Sequence, residues 1–358
     1  MNYRSVKIHA AEVLGTTGTK LIPIRIQDPI TRILLKGTVT FGAAPRIAPT
    51  VDALTKVEIV DGSDVLFELS GSEMVAHRFY EGHKQVLSPE SNIPDAAWGY
   101  VVEMLFGRYI FDPLLAFDPK QFSNPMLRVT WNALAPNVNA TAFSLEVDAE
   151  CFDEKQPSPL GFLRTTEYHS IAGADSAYHY VELPVDLPIR KLYLQCKNYG
   201  EPLGYNLAAV KLQEDNDKRV VFDMDADKWV DLMSDWFGYL LQNFWAYGTG
   251  WADGAVFVAP SEAMMATAAN TAAYGHYMIN RTRGSAISVQ SADETDLFEG
   301  MVTGCVPHQV FCYPMGIQKD IEDWYNLENV KSLRLRVLAG TDGDDVTFNT
   351  ILQQLRRY

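Results

Sequence analysis

Acidic residues at alternate positions form the first pattern in this sequence that could bind a metal ion. Asp223, Asp225 and Asp227 are similar to the opening of a calcium-binding loop, in which side-chain oxygens surround the ion. Such a loop needs a glycine at its sharp turn and a bidentate glutamate at its end, but Lys228 and Ser234 stand there. We therefore expect Asp225 to cap a helix, and no calcium site is predicted.

Two other motifs contain residue types that bind metals or phosphate. The spacing Cys305-x2-His308-x3-Cys312 offers zinc ligands, but a structural zinc site needs four and no second pair lies nearby. The Gly15–Lys20 stretch is rich in glycine and threonine, yet its spacing differs from the phosphate loop and no βαβ unit surrounds it. These residues predict buried cysteines in strands and a flexible turn.

The sequence contains no recognisable pairing of a nucleophile with a base. Its seven histidines are dispersed, and no serine lies in a Gly-x-Ser-x-Gly motif. Glu103 and Asp112 are the carboxylates that could be considered as an acid pair, but Glu103 is a poor candidate for an acid catalyst. We predict no catalytic residue, no metal and no cofactor, and hence a protein that is not an enzyme.

Charge is distributed unevenly along the 358 residues. The formal net charge of −15 argues against a general nucleic-acid binder, because affinity for phosphates depends on cationic side chains. Residues 1–36 nevertheless carry six Lys or Arg against two acidic residues, a net +4, and the chain ends on Arg356, Arg357 and Tyr358. The cations singled out as contacts for an anionic surface are Arg4, Lys7, Lys20, Arg25, Arg356 and Arg357. The alternative is a basic terminal segment without a partner.

Length and cysteine content limit the classes of protein further. A chain of this length exceeds the usual size of one core, so two domains are expected. Four scattered cysteines are too few for a disulfide framework, and the start has no secretory leader pattern, so a reducing cytosol is expected. The longest apolar run, residues 98–111, is interrupted by charges and too short to span a bilayer.

Most segments show the two-residue alternation of half-buried strands. The predicted strands lie within 33–41, 57–69 around an Asp61-Gly62 turn, 127–131, 143–147, 178–183, 192–194, 220–224 and 333–337. Short helices are expected at about 71–80, 226–244 and 318–326, with some helix in the Ala-rich stretch 261–274. Many short strands with few helices predict an all-β protein built of sandwiches or barrels.

An internal repeat is the most informative feature of the sequence. Residues 65–75 align without a gap on residues 220–230, and each copy runs from a strand through a capping residue, Ser70 or Asp225, into a helix. Ser70 and Glu73 have the capping-box spacing. Upstream, residues 56–59 match residues 191–194. Downstream, Asp112, Phe117, Phe122 and 127–129 match Asp320, Tyr325, Val330 and 335–337.

The offset between matched segments grows from 135 to 155 to 208 while their order is kept, which indicates a duplicated domain with longer loops in its second copy. The extra length falls at about 239–305, a stretch that contains Trp245, Trp251, Tyr274 and Tyr277. The predicted domains are 1–155, an N-terminal segment with the first copy, and 156–358, the second copy. Eight or so strands per copy fit two tandem eight-stranded jelly rolls with a few short helices.

With this duplication in place, the sequence resembles the double jelly-roll major capsid proteins of non-tailed icosahedral viruses, the tectivirus and adenovirus lineage. The stretch Phe106-Gly107-Arg108-Tyr109-Ile110-Phe111-Asp112-Pro113, with 116–118, Asn124-Pro125 and 127–131, is similar to the bacteriophage members. The resemblance implies a structural protein of the virion capsid, assembled in the host cytoplasm. Its homotrimers would have a pseudo-hexagonal outline and tile an icosahedral shell.

The resemblance also implies where particular residues lie. The basic ends would face an internal membrane or the genome, and the 239–305 insertion would form an outer tower, with Trp245, Trp251, Tyr274 and Tyr277 as contact residues. Partners would be neighbouring trimers, penton or vertex proteins and minor capsid proteins. Two alternatives remain: a two-sandwich carbohydrate-binding or glycan-cleaving protein, since jelly rolls and aromatic residues suit sugars, and a minor capsid or vertex protein.

Overall fold

The computed structural model describes residues 2–247, 255–270, 277–291 and 297–358. In these residues the chain forms 23 strands and three helices. The helices are α1 (Gly71–Tyr80), α2 (Leu203–Asn206) and α3 (Ala226–Phe237). The strands of the first half are β1 (Tyr3–Leu14), β2 (Thr17–Pro23), β3 (Ile30–Thr40), β4 (Leu54–Asp61), β5 (Asp64–Leu69), β6 (Glu90–Ser91), β7 (Ala97–Leu105), β8 (Pro125–Asn132) and β9 (Ala142–Phe152). Those of the second half are β10 (Gly161–Ala172), β11 (Tyr178–Leu183), β12 (Ile189–Lys197), β13 (Leu207–Glu214), β14 (Arg219–Asp225), β15 (Leu240–Tyr247), β16 (Ala255–Phe257), β17 (Glu262–Asn270), β18 (Tyr277–Arg283), β19 (Ala286–Ser291), β20 (Leu297–Cys305), β21 (Val310–Pro314), β22 (Leu333–Ala339) and β23 (Thr347–Arg357).

Each half of the chain folds into a jelly roll of eight strands, as the sequence predicted. In the first, the sheets have strand orders β1-β9-β3-β7 and β2-β8-β4-β5. In the second, the orders are β10-β23-β12-β21 and β11-β22-β13-β14. Taken in chain order, the eight strands of one jelly roll correspond one to one with those of the other. The all-β, double jelly-roll fold class is therefore confirmed.

The repeat detected in the sequence coincides with structural equivalence. Residues 65–75 and 220–230 are β5–α1 and β14–α3, and both β4–β5 and β13–β14 contain a register shift at the same place. Phe117 bridges to Ile30 as Tyr325 bridges to Ile189, which confirms that downstream match. The upstream match was wrong. Residues 56–59 lie in β4 and residues 191–194 in β12, whose counterpart is β3, because alternating apolar strands resemble one another in sequence.

The two jelly rolls are joined through one continuous sheet. Strand β5 of the first runs parallel to β10 of the second, with Glu68 opposite Thr166, so that two four-stranded sheets become one of eight strands. A single cluster of buried apolar residues extends through both halves. Its largest fully buried side chains include Phe67, Phe117, Phe162, Trp229 and Phe311, each stabilising the fold by about 1.5–3 kcal/mol through burial.

The helices begin as predicted but occupy less of the chain. The Ser70 N–H donates to the Glu73 carboxylate at 2.7 Å, as expected from the capping-box spacing. Helix α3 ends at Phe237, not near 244, because Gly238 adopts φ 71° and the next residues enter β15. Residues 318–326 contain only a 3-10 turn at Ile321–Asp323. In the 261–274 stretch, residues 262–270 form β17, since pairing with β20 overrides the helix propensity of alanine.

The 239–305 stretch has a structure of its own. Its described residues form β15–β20, arranged as β17-β20-β15-β6 and β16-β19-β18 around a separate small core. Strand β6 comes from the first jelly roll and pairs with β15. The connections that follow the two equivalent helices therefore meet in one sheet.

Candidate functional site

The strand directions place both ends of the chain far from the 239–305 stretch. Strand β3 has eleven residues, about 35 Å at 3.3 Å per residue. The connection between β7 and β8 lies near the start of β3. There the Tyr3 ring stacks on Phe111, and the Tyr358 hydroxyl donates a hydrogen bond to the Ala116 carbonyl. Near the far end of β3, Trp98 of β7 contacts Trp245 of β15. We call these the terminal end and the insertion end of the molecule.

Four of the six predicted cations come together in one groove beside β1 and β2. Arg4, Lys7, Lys20 and Arg25 line this open groove of about 760 Å³ together with apolar residues. Three of them pair with carboxylates of the same chain: Arg4 with Asp28, Lys7 with Glu146, and Lys20 with Glu12. The hydrogen bond to Glu146 raises the pKa of Lys7. Arg25 is exposed and makes no ion pair with the described residues.

The other two predicted cations lie at the end of β23. Arg356 pairs with Asp64, its Nη1 2.9 Å from Oδ1, and its guanidinium lies 6.0 Å from the centre of the Phe122 ring. Arg357 lies 3.7 Å from Glu322. Five of the six cations thus have an acidic neighbour within the chain, which reduces the positive charge available to an anionic surface below that counted from the sequence.

The predicted aromatic contact residues are only partly described. Trp245 is half-buried in β15, and its ring meets Trp98 edge-on at 5.3 Å between centroids. Tyr277 is the first residue of β18 and lies opposite Ser291. Trp251 and Tyr274 fall outside the described residues. The role of these four aromatic residues in outer contacts therefore remains a prediction.

The glutamate and the two cysteines considered above for catalysis or metal binding are buried in the fold. Glu103 is fully buried and lies 2.7 Å from the Arg32 Nη1 and 2.6 Å from the Arg78 Nη1. Cys305 and Cys312 are buried free thiols whose pKa values are raised by burial. Among the described residues, no group of three His, Cys, Asp or Glu is placed to hold a metal. No helix there is long and apolar enough to cross a bilayer.

The segment that carries the family resemblance lies at the terminal end. The Arg108 Nε lies 2.6 Å from the Asp112 carboxylate, which also accepts the N–H of Leu114. Arg108 then donates from Nη1 to the Lys319 carbonyl of the second jelly roll at 2.6 Å. This segment therefore helps to join the two halves of the chain.

A buried ionic cluster that the sequence did not predict lies between the two jelly rolls. Glu81, just after α1, accepts hydrogen bonds from the Arg190 Nη1 at 2.7 Å and from the Lys191 Nζ at 2.6 Å. All three side chains are at most 3% exposed. Burial alone would raise the pKa of Glu81, but the two cations outweigh it and lower this pKa to about 2.

Other polar contacts of α1 surround this cluster. Gln353 of β23 lies 3.0 Å from the His77 Nε2, and burial lowers the pKa of His77 to about 4. The only signal in the sequence is an adjacent Arg-Lys pair at the start of an otherwise buried strand. Nothing in the spacing connects that pair with a glutamate 109 residues earlier.

Comparisons with known proteins agree with this architecture. The sequence matches no protein-family profile and no curated protein. Among solved structures, the major capsid protein of STIV has a TM-score of 0.61 at 8% identity, with 99% of this chain and 97% of that one covered. The major capsid protein P2 of bacteriophage PM2 has a TM-score of 0.56 at 10% identity, with 99% and 98% covered.

A third structure, the PBCV-1 virus capsid, has a TM-score of 0.57 at 13% identity, with 99% of this chain and 93% of that one covered. All three likenesses extend over nearly the whole of both chains, so they include both jelly rolls. The chain therefore has the double jelly-roll fold of the viral major capsid proteins.

Proposed function

We propose that this protein is a structural major capsid protein whose homotrimers, pseudo-hexagonal in outline, tile an icosahedral virus shell. The observation that carries the proposal is the strand-for-strand correspondence of the two jelly rolls, in a chain that aligns over its whole length with major capsid proteins. Three copies would bring six equivalent jelly rolls around one axis, which produces a hexagonal outline from threefold symmetry. The role is structural and not catalytic.

The same proposal assigns the two ends of the molecule. The terminal end, with Arg4, Lys7, Lys20, Arg25, Arg356 and Arg357, faces an internal membrane or the genome. The insertion end faces outward, with the 239–305 stretch as the tower. Separation of the termini from this stretch by the length of the strands supports the assignment. The proposed boundary between domains 1–155 and 156–358 falls between the end of β9 and the start of β10.

Penton or vertex proteins, minor capsid proteins and neighbouring trimers are the further partners in this proposal, and the host cytoplasm is the place of assembly. The carbohydrate-binding alternative has no comparable support. Five solved structures that match with TM-scores of 0.55–0.61 are all described as viral capsid proteins or virus particles.

Light scattering on a sizing column, with negative-stain images of the same peak, tests the proposal. We expect a mass of about 120 kDa, three times the 40.1 kDa chain, and particles of hexagonal outline or assembled shells. A protein that remains a monomer at all concentrations and forms no shell would contradict it. A glycan-binding screen would then be the next experiment.

A further inference from the structure

The two equivalent helices differ in what covers them. Nine of the ten residues of α1 are buried, whereas in α3 the buried residues are Ala226, Trp229 and Met233. Ser72 and Glu73 of α1 are buried at the second jelly roll, but their counterparts Asp227 and Lys228 are exposed. Among the described residues, helix α3 therefore lacks the cover that α1 receives from the second jelly roll.

The sheet on which α1 lies has a counterpart in the first jelly roll whose outer face is also less buried in the described part of the chain. Lys191, Tyr193 and Gln195 of β12 are buried on the sheet face below α1. Strand β12 has a register shift just after Ile189, and β3 has one just after Ile30. Ile30 is therefore the equivalent of Ile189, which aligns the two strands residue by residue. The residues equivalent to the three on β12 are Arg32, Leu34 and Lys36, which are half-buried or exposed.

We propose that β14 and α3 of one copy dock on the outer face of β1, β9 and β3 of a second copy, as β5 and α1 dock on β10, β23 and β12 within one chain. The inference rests on the proposed trimer and adds the surface through which it forms. Because the two faces differ, the contact is head to tail and closes into a ring when each jelly roll adds one sixth of a turn.

Charge complementarity supports this docking. The His77–Gln353 contact described above is one of several side-chain contacts between the β5–α1 unit and the second jelly roll within the chain. Three others are Ser72–Gln195 at 3.4 Å, Glu73–Asn349 at 3.3 Å and Asp64–Arg356 at 2.9 Å. Replacing each residue by its structural equivalent gives three pairs: Asp227–Lys36, Lys228–Glu146 and Arg219–Asp153. All three unite opposite charges, although two of the parent contacts do not pair opposite charges and the third has its signs reversed.

Strand edges and an exposed aromatic residue point to the same partner. β14 and β1 are edge strands of their sheets, and their equivalents β5 and β10 are the strands that pair in the chain. The pairing of Glu68 with Thr166 becomes, between copies, Asp223 with Val6. Trp236, 41% exposed on α3, is the counterpart of the buried Glu81 and would lie over Arg32. A second copy thus covers edges that would otherwise stay open.

Zero-length carbodiimide cross-linking of the wild-type protein tests the contact directly, because the reagent couples a carboxylate to an amine in contact with it. We expect the covalent dimer band to contain peptides that join Asp227 to Lys36 or Glu146 to Lys228. Absence of both from the dimer and trimer bands of a trimeric protein would overturn the inference and leave the proposed function standing. A wild-type protein that stays monomeric would overturn both.

Charge reversal provides the matched second measurement. Asp227→Lys and Lys36→Asp should each raise the protein concentration below which trimers dissociate at low salt by at least about tenfold. The double variant should restore the wild-type value. Lys331→Glu is the control, because it also changes the charge by two units but lies outside the proposed contact. Lys331 corresponds to Ser123, which is exposed and hydrogen-bonded within its own jelly roll. Single reversals that behave like this control, or a double variant no better than either single one, would contradict the pairing.

Discussion

The buried cluster around Glu81 allows a quantitative prediction for Glu81→Gln. This substitution keeps the size of the side chain but removes its negative charge, which leaves Arg190 and Lys191 buried without an anion. The pKa of Glu81 is lowered from 4.5 to about 2, and about 2.5 pKa units at about 1.4 kcal/mol each correspond to roughly 3 kcal/mol. Breaking a buried ion pair by removing one partner costs about 3–5 kcal/mol, which agrees.

Urea unfolding at pH 7 and a fixed protein concentration measures this loss. The control is Glu328→Gln, an exposed glutamate for which we expect a change within about 0.5 kcal/mol. Because the folded-state pKa is depressed, the advantage of the wild type is complete above about pH 4.5 and lost as the pH falls towards 2. A destabilisation below about 1 kcal/mol at pH 7, or a difference independent of pH, would show that the buried charge of Glu81 does not stabilise the fold in this way.

Three further predictions concern other buried residues. Burial raises the pKa of Glu90 to about 8, so the folded wild type should lose stability as the pH rises from about 4.5 to 8, and Glu90→Gln should remove this dependence in thermal melts; an unchanged profile would contradict it. An added Cβ at Gly37 would lie 2.3 Å from the Tyr100 ring, so Gly37→Ala should cost about 1–3 kcal/mol in urea unfolding, and a neutral effect would show that the ring can move. The four buried thiols should react with a thiol reagent only after unfolding, since burial raises the pKa of Cys151 to about 12 and that of Cys196 further; rapid labelling of the native protein would contradict this.

Local patterns in the sequence predicted the repeated units well. The strands and helices at residues 65–75 and 220–230 follow from alternation and from N-cap residues, which act over a few residues. The Ser70–Glu73 capping box is formed, whereas Asp225 occupies the N-cap position of α3 without a side-chain hydrogen bond to the helix. The same reasoning failed where distant pairing decides the structure. The alanines of β17 favour a helix by themselves, but this segment pairs with β20 and forms a strand instead.

Contacts between distant residues were beyond the sequence pattern. The three members of the Glu81 cluster have ordinary spacing, and only the docking of α1 on β12 brings them together. Four of the basic residues that the sequence predicts as contacts for an anionic surface line one groove, and the contact itself remains a prediction. Their pairing with Asp28, Glu146 and Glu12 could not be foreseen, because it depends on strand order and register.

A low-resolution cryo-electron microscopy reconstruction of the purified oligomer tests the proposed capsid trimer. We expect six jelly-roll densities around a threefold axis, with all chain termini on one face and the 239–305 stretch on the opposite face. An antibody fragment against a tag at the C-terminus would mark the first face. An oligomer without six similar lobes, or termini and insertion on the same face, would contradict the proposed capsid trimer.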